Sequence, residues 1–108
     1  MNMTNSRLDA FRIMVAKNPG NLQARFGLAN EAVKAGALEE ALENYQAYLA
    51  GYDDEGNAWG RMADVLEQLG RVDEARDALT RGIAAAQRHG HPSMAAEMEE
   101  RLEELEES

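Results

Sequence analysis

The residues of this sequence best equipped for chemistry fall in two short segments, Asp53-Asp54-Glu55 and His89-Gly90-His91. Two imidazoles one residue apart suit a divalent metal, but a site needs a third ligand and none stands at ligand spacing. The acidic triplet lacks the alternating spacing and terminal Glu of a calcium loop, so it reads as favourable charge at a helix N-terminus. No cysteine is present, which removes thiolate zinc sites, disulfides and a Cys nucleophile. No serine or threonine lies in a pattern that pairs it with a base, and Gly51 and Gly56 flank acids instead of forming a phosphate loop. The expectation is a protein with no catalytic residues, no metal and no cofactor.

The elements that carry these segments are helical. The chain has 108 residues, enough for one domain, with 44% hydrophobic residues, two Pro and one Trp. It is rich in Ala, Glu, Leu and Arg, which lose little side-chain freedom in a helix. Its formal charge of −9 opposes phosphate backbones and anionic lipid, so nucleic acid and membrane surfaces are poor partners, and a neutral or basic protein or peptide is the expected one. Met1 to Arg12 lacks a basic start followed by an apolar run, and no stretch reaches the roughly 18 apolar residues of a spanning helix, so the expectation is a cytoplasmic protein.

A period of 34 residues runs through the chain. Phe11, Tyr45 and Leu79 are spaced by 34, as are Val15, Leu49 and Ile83. The two later copies match at Leu28 and Met62, Ala29 and Ala63, Gly36 and Gly70, Leu38 and Val72, Glu40 and Glu74, and Ala41 and Ala75. Apolar residues recur at helical spacing within each copy, and Gly36 and Gly70 end one helix before the next begins. The pattern predicts six helices, near 5–17, 22–35, 38–51, 56–69, 72–88 and 92–107. Leu8, Phe11, Met14 and Val15 form the inward stripe of the first. Met94 or Ala95, Met98, Leu102 and Leu105 form that of the last, about two residues late for the 34-residue register. The His89-Gly90-His91-Pro92 loop absorbs that shift.

These residues resemble the tetratricopeptide repeat family, and in particular its small bacterial-type members. Trp59 matches the early aromatic of the family unit, Ala29 and Ala63 its first small residue, Ala41 and Ala75 its second, and Tyr45 its second-helix aromatic. Asn18-Pro19-Gly20-Asn21 is similar to its inter-repeat turn. Arg25 departs from the pattern where Trp59 keeps it, and Gly82 occupies a second-helix core position. The resemblance implies an all-α fold of antiparallel helical hairpins stacked as a right-handed solenoid. Residues 1–108 would form one domain: a half-repeat helix at 5–17, repeats at 22–55 and 56–89, and a capping helix at 92–107 whose outer glutamates stay in water. An array of this length is expected to be stable by roughly 5 to 10 kcal/mol.

The resemblance also implies a role in protein binding as a scaffold. In this family the first helix of each hairpin lines a concave face, which maps the partner-binding residues to Gln23, Phe26, Asn30, Val33 and Lys34, then Asn57, Arg61, Asp64 and Gln68, with Glu97, Glu100 and Glu104 closing it. Phe26 and Val33 would form an apolar floor, and Gly27 and Gly60 would leave room for close approach. Family members that clamp the acidic tails of heat-shock chaperones use Lys, Asn and Arg, and only Asn30 and Arg61 match here. A segment with apolar anchors and basic flanks fits better. The alternative is a homodimer through the terminal helices, because Ile13 lies beside the first stripe and Met1 and Met3 ahead of it.

Overall fold

The computed structural model describes residues 6–107. Six helices follow in order: α1 (Ser6–Lys17), α2 (Leu22–Lys34), α3 (Leu38–Gly51), α4 (Asn57–Gln68), α5 (Val72–Arg88) and α6 (Pro92–Glu107). The chain divides into two compact units, Met1–Tyr52 with α1 to α3 and Asp53–Ser108 with α4 to α6. In each unit consecutive helices pack as hairpins.

The turn chemistry explains the boundaries. Asn21 caps α2 by accepting the Ala24 N–H at 3.1 Å, and Asn18 Oδ1 accepts from Gly20 N in the preceding turn. At the end of α2, Gly36 has φ +76°. The Ala37 N–H reaches back to the Ala32 carbonyl at 2.8 Å and Gly36 N–H to that of Val33 at 3.0 Å. This doubly bonded C-terminal turn recurs 34 residues later, where Gly70 has φ +75°, Arg71 N–H bonds Leu66 O and Gly70 N–H bonds Glu67 O. A Cβ would be strained at either glycine, so the residue type sets where the helix stops. The same bonds recur where α5 ends, from His91 to Ala86 and from Gly90 to Gln87.

The small residues expected at the helix crossings are among the most buried: Ala29, Ala41, Ala63 and Ala75 are fully covered. They let paired helices approach at the short end of the usual separation. Tyr45 and Leu79, in register at the 34-residue period, are also buried. Two glycines serve the same end. A Cβ at Gly27 would fall on the Phe11 ring, 2.6 Å from Cζ, so α1 seats its aromatic over bare α2 backbone. A Cβ at Gly82 would sit 2.7 Å from Met98 Sδ and 2.9 Å from Trp59 Cβ, so α5 accepts α4 and α6 at close range only because that side chain is missing.

Two expectations need correction. Met14 does not join the inward stripe of α1. Leu8 is buried and Phe11 and Val15 are half-buried, but Met14 is 45% exposed beside Ile13 at 55%. α1 packs along α2, so the stripe it buries is narrow and follows positions 8, 11 and 15, leaving 14 outside it. Gly27 is not open space for a partner, because Phe11 covers it. Met1, Met3 and residue 5 lie outside the described residues.

The position of Arg25, where the next copy has Trp59, acquires a reason. Arg25 donates from Nη1 to Asn44 Oδ1 at 3.0 Å and from Nε to the Pro19 carbonyl at 3.0 Å. Buried Asn44 in turn donates to the Glu40 carbonyl at 2.8 Å. A polar tie between α2, α3 and the α1–α2 turn replaces the aromatic. Arg12 adds a second tie in this unit, donating to both oxygens of Glu40 at 2.7 and 2.9 Å, and holds the Glu40 carboxyl below the usual carboxylate range.

Candidate partner-binding site

Of the two segments that invited a reading as chemistry, each is occupied with the other. Asp54 is 7% exposed, and its Oδ2 accepts the N–H groups of Gly56 and Ala58, both at 2.8 Å, which fixes the start of α4. Asp53 bonds Arg88 at 2.6 Å and His89 Nε2 at 3.1 Å, and Arg88, then His89, holds its carboxyl below the ordinary range. Glu55 pairs with His91 Nε2 at 3.1 Å. The acidic triplet thus caps α4 and pins the α5–α6 turn to it. Among the described residues no group of three or more His, Cys, Asp or Glu is arranged to hold a metal ion.

In the first unit, Gln23, Phe26, Asn30, Val33 and Lys34 share one face of α2, as their spacing requires. Their side chains are more committed than the sequence indicates. Phe26 stacks on Tyr48 with centroids 4.8 Å apart and meets Tyr45 edge-on at 6.1 Å, and Tyr48 continues the stack to exposed Tyr52 at 5.2 Å. Phe26 therefore packs with α3. Asn30 accepts the Tyr45 phenol, and Lys34 pairs with Glu31 at 3.2 Å. Val33 is half-buried, and Gln23 is exposed.

In the second unit, Asn57, Arg61, Asp64 and Gln68 are exposed along one face of α4. The first three line an open groove of about 210 Å³ between α4 and α6, with Gly56, Gly60, Met94, Glu97, Met98 and Arg101 completing it. Met98 and half-buried Met94 supply apolar lining, and Glu97 lies on the α6 side. Arg101 is the residue sequence reasoning missed. It reaches across from α6 to Asp64 Oδ1 at 2.5 Å, Glu67 Oε2 at 3.5 Å and the Gly60 carbonyl at 3.5 Å.

Charge is divided unevenly. Arg7, Arg12, Lys17, Arg25 and Lys34 balance Asp9, Glu31, Glu39, Glu40 and Glu43 in the first unit, so the entire formal charge of −9 belongs to the second. α6 alone carries seven glutamates against Arg101. Among the described residues no helix is long and apolar enough to cross a membrane.

Comparison with known proteins accords with this geometry. A sequence profile described as Tetratricopeptide repeat matches residues 32–96, and a second of the same description matches residues 8–55. The TPR repeat-containing protein PA0015 of Pseudomonas aeruginosa is 29% identical over 91 residues, covering 84% of this chain and 87% of that protein. Among solved structures, PcrH in complex with the chaperone binding region of PopD superposes with a TM-score of 0.84 at 21% identity, over 94% of this chain and 77% of that one. MamA superposes at 0.69 with 16% identity, over 97% of this chain and 75% of its own. At these identities the two structures establish a shared fold.

Proposed function

The chain belongs to the tetratricopeptide repeat family, and from that premise we propose that it is a non-enzymatic interaction module that holds a polypeptide segment of a partner. In this reading 5–17 is a half-repeat, 22–55 and 56–89 are the repeats, and 92–107 is the cap. The observation that carries it is the groove of the second unit, lined by polar Asn57, Arg61 and Asp64 together with Gly60, Met94 and Met98. Its volume lies below the roughly 300 to 1,000 Å³ of small-molecule sites, which suits a side chain or two of an extended segment. Methionine adapts to varied apolar groups, and the polar rim can meet a backbone. The solved complex of PcrH with a region of PopD has the same fold and supports the reading by analogy.

The α2 face is a separate part of the proposal: Gln23, Phe26, Asn30, Val33 and Lys34 would add contacts through the exposed edge of the aromatic stack. The experiment is capture of a partner by the tagged chain, followed by Asp64→Arg and Phe26→Ala. We expect Asp64→Arg, which puts a cation where a basic segment would meet a carboxylate, to weaken capture at least fivefold and Phe26→Ala to weaken it less, with helix content unchanged. Undiminished capture by both variants would overturn the assignment of these faces.

A second reading has its own observation. Ile13 and Met14 are exposed together on α1, in the unit that carries no net charge, so a second copy would bury them without electrostatic opposition. Light scattering across a concentration series tests it. A mass of about 11.9 kDa throughout removes the homodimer, and growth toward twice that mass, abolished by Ile13→Glu, establishes it.

A further inference from the structure

We infer that Arg101 fills, within the chain itself, the position that an arginine of the partner segment takes, so that the groove selects a segment carrying arginine beside an apolar residue and Arg101 is its built-in competitor. The inference rests on the groove reading above and adds the chemistry of the occupant. A planar guanidinium carries donors in a fork that fits carboxylates and carbonyls, and Arg101 uses it on Asp64, Glu67 and the Gly60 carbonyl along one edge of α4. Two cations line the groove, Arg61 and Arg101, and Arg101 is the one that spans from α6 to the acids of α4.

The surroundings favour a further cation over an anion. The unit carries nine net negative charges, and around the groove Asp64, Glu67, Glu97 and, along α6 at helical spacing, Glu100 and Glu104 outnumber the two cations Arg61 and Arg101. A partner arginine arriving at Asp64 and Glu67 would release Arg101 toward Glu97, four residues back on its own helix, where an ion pair of that spacing is favourable. Exchange therefore costs the chain little. The methionines beside it receive the neighbouring apolar side chain. A carboxylate would instead enter a field of like charge.

The test uses two capped, fluorescently labelled peptides, one centred on Arg-Leu-Arg and the other on Glu-Leu-Glu, measured by anisotropy at low salt against the wild type, Arg101→Met and Asp64→Asn. Arg101→Met keeps the apolar stem and removes the donors. Circular dichroism verifies that each variant is folded. The expected result is binding of the arginine peptide, tightened about twofold to fivefold by Arg101→Met and weakened by a similar factor by Asp64→Asn, as for exchange of a partly exposed ion pair. A merely structural Arg101 would not raise affinity when removed, so unchanged or weakened binding of the arginine peptide by Arg101→Met overturns the inference. Binding of the glutamate peptide that Arg101→Met weakens overturns it while leaving the groove as a binding site. Absence of binding by either peptide, or binding indifferent to both substitutions, overturns the inference and the groove together.

Discussion

Replacing Asp54 by alanine probes how α4, which carries Asn57, Arg61 and Asp64, is held at its start. The first four N–H groups of a helix have no partner within it, and Asp54 Oδ2 accepts two N–H groups at that end, both at 2.8 Å, from a site that is 7% exposed. Loss of an N-terminal cap costs about 0.5 to 2 kcal/mol. Two bonds to one buried, charged acceptor put Asp54→Ala at the upper end, about 2 kcal/mol. In a unit of this size that lowers the melting temperature by roughly 10 °C. Trp59, the sole tryptophan, lies in the second unit, and Tyr45, Tyr48 and Tyr52 all lie in the first, so urea unfolding followed by tryptophan emission reports on the affected unit. Asp54→Asn keeps one acceptor and should recover about half of the loss. If the alanine variant unfolded within about 0.5 kcal/mol of the wild type, water would be replacing the carboxylate, and the cap would not be what holds α4.

Gly82→Ala gains about 1 kcal/mol of helix propensity, yet its Cβ meets Trp59 Cβ, which is fixed to the α4 backbone; overpacking of about 2 kcal/mol should outweigh the gain and leave a net loss near 1 kcal/mol in the same titration. Arg25→Ala strands the Asn44 side-chain oxygen in a buried place and should cost about 1 to 2 kcal/mol by thermal melting, where Arg25→Lys, without the fork, recovers only part. The Arg12 hydrogen bond, then its charge, lowers the folded pKa of Glu40, so the pair's stabilisation is present above the ordinary glutamate value near pH 4.3 and is lost as pH falls through the depressed one. The pair is partly exposed and the loss is small; tyrosine-monitored melts from pH 6 to 3 should show a shallow fall in stability, and Glu40→Gln should flatten it.

Much of the architecture is legible in the sequence because it is encoded locally. Glycines 34 residues apart can adopt positive φ at a helix end, and alanines mark where backbones approach, so helix order and boundaries follow from residue types alone. What depends on contacts distant in sequence is not legible. Arg101 stands in a run of glutamates and reads as part of a solvated face until α6 is laid against α4, 37 residues away from Asp64. Asp54 looks like one acid among three, and only its burial separates the cap from Asp53 and Glu55, which face the α5–α6 turn. Met14 satisfies helical spacing for an inward stripe, but the width of that stripe depends on how much of α1 its neighbour covers.

Whether a partner segment lies in the α4–α6 groove can be read from the methionine methyl resonances. Met94 and Met98 line that groove, Met62 is in the core and Met14 is exposed on α1. On titrating the captured partner segment into methyl-labelled protein, the resonances of Met94 and Met98 should shift while those of Met62 and Met14 stay unmoved. Saturable binding that shifts Met14 alone, or that leaves Met94 and Met98 unchanged, would place the segment outside the groove.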